Sequence, residues 1–176
     1  IMQMDKGLDT GDILNIKEVK ITEVDTSETL HNKFAKLSIH PLLETLSNIT
    51  NITPQLQVGN PSYAHKITKQ EGLINFDNIA WNISCHIRAF TPWPSAFFVL
   101  DSQTIKVGSF ELLDKPCSEE SGVIISVTNI GVDISTLDKI IRFTELQFPN
   151  KKMLKVSDIL NGKDLSKYVG YKIGVM

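Results

Sequence analysis

Cysteine is nearly missing from this chain. Two residues, Cys85 and Cys117, among 176 leave no disulfide framework and no metal-ligand spacing. A reducing, cytosolic compartment is the simplest reading. No apolar run approaches the ~20 residues of a membrane-spanning helix, and no basic-then-apolar segment opens the chain as a secretory signal would. The three glycosylation-type triplets at Asn48, Asn51 and Asn82 are therefore chance matches in an Asn-rich chain. An excess of positive charge is also absent: the net charge is -2, with five Lys against eight acids up to residue 63 and 13 basic against 12 acidic residues after it. A wholly basic nucleic-acid binder is excluded, and only local clusters could serve that role. Internal repeats are lacking too. What is present, 41% apolar and 22% charged residues, is ordinary for globular protein of one large domain or parts of two.

The pattern along the chain changes twice. Ile13 to Ile21 alternates loosely and predicts a strand, paired with Ile1 to Met4 across an Asp- and Gly-rich turn. Ile1 to Asp5 reads as the tail of a buried strand, and Met2-Gln3-Met4 is unlike a natural start, so further chain is expected before Ile1. Asp25 or Thr26 caps a helix bearing Leu30, Phe34 and Leu37, which Pro41 kinks or restarts through Leu42, Leu43 and Leu46. Periodicity is then lost from 48 to 63, where Pro54, Gly59-Asn60 and Pro61-Ser62 mark a linker. Asp77 is the expected cap of a helix carrying Ile79, Ile83, Ile87 and Phe90, stopped by Pro92 and Pro94. Five β-type runs follow at 97–100, 105–113, 122–127, 131–134 and 140–146, a spacing that suggests a small barrel. A short helix near 156–160, with Ser157 as its cap, ends the pattern.

Chemistry concentrates in one loop. Asp5, Asp9 and Asp12 lie around Gly7 and Gly11. An EF-hand needs a bidentate Glu at its end and a further acid, and neither is present. On residue types alone the segment is a solvated turn. The order Ile1-Met2-Gln3-Met4-Asp5-x-Gly7-Leu8-Asp9-Thr10-Gly11-Asp12, however, resembles the last active-site loop of folate-dependent formyltransferases. In that superfamily the loop follows an Asn, a His and an SLLP-type segment, which would lie before Ile1. The resemblance implies that Asp9 is the acid of an Asn-His-Asp site, and that the backbone of Asp5, Lys6, Gly7 and Leu8 lies beside the pteridine of formyltetrahydrofolate. A carboxylate can relay the proton that formyl transfer moves between two nitrogens, while preorganised donors hold the tetrahedral oxyanion. Gly7 and Gly11 are expected to allow positive φ and close backbone approach; Asp12 is expected to be structural.

Two later blocks narrow the resemblance. Tyr63-Ala64-His65-Lys66-Ile67-Thr68-Lys69-x-Glu71-Gly72-x-Ile74-Asn75-Phe76 and Arg88-Ala89-Phe90-x-Pro92-Trp93-Pro94 resemble the start of the C-terminal domain of methionyl-tRNA formyltransferases. The family usually has Asp-Trp where this chain has Asn75-Phe76. The resemblance implies the end of a doubly wound, Rossmann-like α/β formyltransferase domain (1–50), a linker (51–63) and an OB-like β-barrel domain (64–176). It implies formyl transfer from formyltetrahydrofolate to initiator methionyl-tRNA by a cytoplasmic monomer without metal or membrane contact. A sugar nucleotide as formyl acceptor, or a tRNA-binding module alone, are the alternatives. Lys66, Lys69 and the cluster Lys151, Lys152, Lys155 would then meet tRNA phosphates, though each is also an ordinary surface cation. Trp93 reads as a packing anchor, Arg88 as the partner of an acid or of this turn, and His86 as a core or surface histidine rather than a metal ligand.

Overall fold

A computed structural model describes residues 1–174; Val175 and Met176, the last two positions of the expected second domain, lie outside the described residues. The chain divides into two compact units, Ile1–Lys66 and Ile67–Met176.

In the first unit, helix α1 (Ser27–Leu37) begins at a reciprocal cap. The Thr29 N–H donates to the Thr26 hydroxyl at 3.2 Å and the Thr26 N–H to the Thr29 hydroxyl at 2.9 Å. Asp25 does not cap; it lies buried beneath this turn, accepting from the Thr22 N–H, the Thr22 and Thr29 hydroxyls and Lys33. Helix α2 (Ile39–Ser47) restarts after Ser38 and places Pro41 in its first turn, where the missing N–H costs nothing. The expected strand from Ile13 to Ile21 does not form. Ile13 alone makes bridges, to Met2 on one side and Gln55 on the other. Leu14 and Asn15 still bond to Ile1, but no ladder continues past them, and Ile16 and Ile21 are exposed. Ile1, Met2 and Met4 are exposed as well, so they form no buried strand in this structure.

The second unit is a curled antiparallel sheet wrapped on a helix. Helix α3 (Ala80–Ala89) buries Ile83 and Ile87 at helical spacing. Its N-terminus corrects the expectation at Asp77: the Ala80 N–H donates to the carboxylate of Asp138, 58 residues away, at 2.8 Å. That bond is the main reason the Asp138 pKa lies below the usual carboxylate value. Asp77 instead accepts from Ser121. Strands β1 (Phe97–Leu100), β2 (Gln103–Pro116), β3 (Ile124–Thr128), β4 (Gly131–Ser135) and β5 (Lys139–Gln147) run in the order β1-β2-β5-β4-β3. The two-residue turn Asp101-Ser102 has both φ values positive, at 51° and 60°, as a hairpin of matching twist requires. The 14-residue β2 bends through register shifts at Ser109 and between Leu113 and Pro116. That bend lets the sheet curl around the rings of Phe76, Phe98 and Phe143, whose centroids lie 5.7 to 6.2 Å apart.

Both sheet edges are covered by irregular chain. The Ile74 N–H bonds to Phe97 on β1, and Ile124 on β3 exchanges bonds with Tyr171 and Gly170. The short β6 (Leu154–Lys155) extends the sheet beside β5 and leads into α4 (Val156–Leu160). Ser157 does not cap α4; Lys155 occupies the cap position without a side-chain bond, and burial of Val156 and Ile159 anchors the helix instead. Trp93 also departs from expectation: it is 56% exposed, and its neighbour Pro94 takes the buried place.

Candidate active-site loop and basic groove

The acidic loop closes on itself and is clamped from afar. The Gln3 N–H donates to the Asp12 carbonyl at 2.8 Å, and Leu14 to Ile1 at 2.9 Å. Ile13 and Gln55 exchange two backbone bonds of 2.8 Å. The Gln57 amide then donates to the carbonyls of Asp9, at 3.0 Å, and Gly11, at 2.6 Å. Gln55 and Gln57 fall in the stretch read from sequence as linker, and nothing in the local pattern marked them as loop partners.

The glycines meet the expectation in part. Neither Gly7 nor Gly11 has positive φ; the left-handed residue is Asp9 itself, at 55°. Asp tolerates that conformation better than most residues because its short polar side chain can bond locally. Gly11 meets the other part of the expectation, close backbone approach: a Cβ there would collide with the Gln3 carbonyl oxygen. Asp5, Lys6, Gly7, Leu8 and Asp9 are all exposed, with the Asp5 carboxylate accepting from the Lys6 N–H. Leu8 at 71% and Met4 at 86% exposure add apolar surface to the same loop.

The predicted tRNA lysines separate into distinct places. Lys66 and Lys69 are both exposed, at the end of the first unit and the start of the second. Lys155 lies on β6 in register with Glu145 of β5. Lys151 and Lys152 line a groove of about 660 Å³ together with Lys163, which the sequence reading missed. Its lining includes the apolar side chains of Phe148, Leu154 and Ile159, and its one acid is Asp158. Lys163 Nζ sits 3.8 Å from the Phe148 ring centroid and 3.5 Å from the Gln103 side-chain oxygen. The turn carrying the first two lysines is fixed by Pro149, by Asn150 at φ 59° and by the Lys151 N–H donating to Phe148 at 3.1 Å. Proline second and a positive φ third is the pattern of a type II turn. The Gln147 side chain donates to the Lys151 carbonyl at 2.8 Å and ties the turn back to β5. The only sequence signal for Lys163 was its basic character next to Gly162; what brings it to Phe148 is the path of the chain after α4.

Arg88 and His86 lie on α3. The Arg88 guanidinium stands over the Trp81 ring at 5.7 Å and donates to the Cys85 sulfur. His86 packs on Phe90 with its Nε2 buried and unbonded among the described residues. Burial holds its pKa below the ordinary 6.5, against the opposing effect of its bond to the Gly72 backbone.

Comparison with known proteins fits both units. Residues 1–46 match the family described as "Formyl transferase", and residues 66–164 match "Formyl transferase, C-terminal domain". The methionyl-tRNA formyltransferase of Francisella philomiragia is 68% identical over 174 residues, which are 99% of this chain and 56% of that protein. The chain thus spans about half the length of the curated relatives it matches. Among solved structures, HypX from Aquifex aeolicus in complex with tetrahydrofolic acid shares the fold with a TM-score of 0.65. Its identity is 13%, over 90% of this chain and 29% of that one. Methionyl-tRNA formyltransferase from Clostridium thermocellum aligns with a TM-score of 0.53 and 19% identity, over 80% of this chain and 54% of its own. With its C-terminal domain match covering more than half of its residues and the catalytic-domain match preceding it, the chain belongs to the formyl transferase family.

Proposed function

We propose that this protein moves a formyl group from formyltetrahydrofolate to the amino group of methionine on initiator tRNA. The observation that carries this reading is 68% identity, over 99% of the chain, to a methionyl-tRNA formyltransferase. In the reaction the amine nitrogen attacks the formyl carbon and the bond from that carbon to the folate nitrogen breaks. One proton passes from the amine to the departing nitrogen. Asp9 relays this proton, directly or through a water, and orients the His that the superfamily pattern places before the loop. The exposed edge from Asp5 to Leu8 is accessible to a planar pteridine, and Leu8 supplies apolar contact. The tetrahydrofolic acid held by HypX is in keeping with such a co-substrate.

In this reading residues 1–50 finish a doubly wound catalytic domain, 51–63 connect, and 64–176 form an OB-like barrel. The curled antiparallel path β1-β2-β5-β4-β3 and the bulged β2 support the barrel. Lys66, Lys69, Lys151, Lys152 and Lys155 add affinity for tRNA backbone without reading sequence. The protein works as a cytoplasmic monomer.

The test joins this chain to the part of the Francisella philomiragia relative that precedes the aligned region. The chimera should formylate methionyl-tRNA, and this chain alone should not. Asp9→Asn should lower turnover by about 10²- to 10⁴-fold, the usual share of a positioned proton carrier, with tRNA affinity unchanged. Charge reversal at Lys151 and Lys152 should weaken tRNA binding and spare turnover at saturation. An Asp9→Asn chimera of undiminished rate would overturn the role of Asp9. Formyl delivered to a sugar-nucleotide amine, and not to charged tRNA, would replace the acceptor.

A further inference from the structure

The groove beside β6 has more than a rail of lysines needs. Duplex phosphates are met by exposed cations on an open surface, and an apolar floor contributes nothing to that contact. Here Phe148, Leu154 and Ile159 line a concavity of about 660 Å³, within the size range of small-molecule sites. Lys151, Lys152 and Lys163 stand around it against the single acid Asp158, so the charge favours an anion. The lysines are positioned as well as present: Lys151 and Lys152 leave a turn fixed at Asn150 and tied by Gln147, and Lys163 is held over the Phe148 ring at 3.8 Å. A planar apolar group carried between two anionic linkages matches both halves of this lining. Stacking on an aromatic floor with lysines on the flanking backbone is how unpaired strands are bound.

We propose that this groove takes one unpaired nucleotide of an RNA strand, its base on the Phe148 ring and its flanking phosphates on Lys151, Lys152 and Lys163. This rests on the tRNA reading of the lysine cluster given above and deepens it. A base entering the groove displaces Lys163 from the Phe148 face, and the freed ammonium moves to phosphate. The ligand is therefore a splayed or single-stranded nucleotide, and a paired segment stays outside.

The experiment uses the full chain and two RNA probes with nearly the same number of phosphates: a single strand carrying 2-aminopurine and a blunt duplex whose strands are each half its length and long enough to stay paired. The single strand should bind with a change in 2-aminopurine fluorescence. Phe148→Ala should weaken that binding by about tenfold, the usual loss for one stacked base, without altering duplex affinity. Leu154→Glu, at a side chain already 41% exposed and so safe for folding, should also weaken single-strand binding, by placing a carboxylate in the groove. Equal binding of both probes, insensitive to Phe148→Ala and Leu154→Glu, would overturn the nucleotide site and leave the lysines as a backbone rail. Binding of neither probe, with the chimera still formylating methionyl-tRNA, would also overturn it while the proposed function stood. A chimera that formylates no tRNA at all would refute the function itself.

Discussion

Replacing Gln57 by alanine should open the Asp9 loop and leave the β-sheet unit untouched. The side-chain amide holds the carbonyls of Asp9 and Gly11 at 3.0 and 2.6 Å from a position more than 40 residues away in sequence. Each bond of this kind contributes a net of about 0.5–1.5 kcal/mol, so the clamp stabilises the closed loop by about 1–3 kcal/mol. Gly11 is buried, and its carbonyl would lose a donor where water does not readily replace it, which favours the upper half of that range. In populations this is about a 5- to 150-fold increase in the open loop, and exchange of amides freed by opening should accelerate by the same factor. Hydrogen exchange of the Gln3 and Leu14 amides, bonded to Asp12 and Ile1, reads it directly. The Phe143 amide, in the other unit, serves as the unaffected reference. Gln57→Glu replaces the donor by a carboxylate oxygen facing the same two carbonyls, and should give an acceleration at least as large. Unchanged protection at Gln3 and Leu14 in both variants would show that the loop closes without Gln57.

The sheet was far more legible in the sequence than the loop, and the difference has a physical origin. Phe97 to Leu100, Gly131 to Ile134 and Ile140 to Leu146 are dense in Val, Ile and Phe because their side chains meet in one core, and composition alone reveals them. Pro41 could be read as a restart because its effect is local to one helical turn. Asp77 was misjudged because capping by Asp138 depends on a contact across 58 residues, while the sequence shows only the nearer acid. Ile13 to Ile21 has a strand's alternation but finds neighbours only from Ile13 to Asn15, and pairing decides whether alternation becomes a ladder. In the candidate site, Asp9 was visible through its motif. Gln57 and Lys163 were not: each acts through contacts distant in sequence, the carbonyls of Asp9 and Gly11 in one case and the Phe148 ring and Gln103 in the other. Of the two reasons expected for Gly11, positive φ is not used and close backbone approach is: the space it leaves is taken by the Gln3 carbonyl.

Asp133→Ala should lower the stability of the second unit by about 3 kcal/mol, the lower end for breaking a buried pair, because Asp133 is buried while Arg142 keeps some contact with solvent. It strips the Arg142 guanidinium of two bonds, at 2.6 and 2.9 Å, and the Ser126 hydroxyl of its acceptor. Both tryptophans, Trp81 and Trp93, belong to this unit, so urea unfolding followed by their fluorescence isolates it. A loss no larger than that of an exposed surface pair would refute the assignment. The same signal tests His86, the only histidine between Ile67 and Met176. Its folded pKa lies below 6.5 because the ring is half-buried against Phe90 and Nε2 meets no partner among the described residues. Below pH 6.5 the unfolded chain therefore binds the proton first. Stability should be full above that value, fall as the pH drops toward the lower folded pKa, and level off beneath it. His86→Gln should abolish this slope while leaving the carboxylate-driven losses at lower pH in place. A slope surviving in His86→Gln would mean that another group controls the window, and no other histidine is present in the unit to do so.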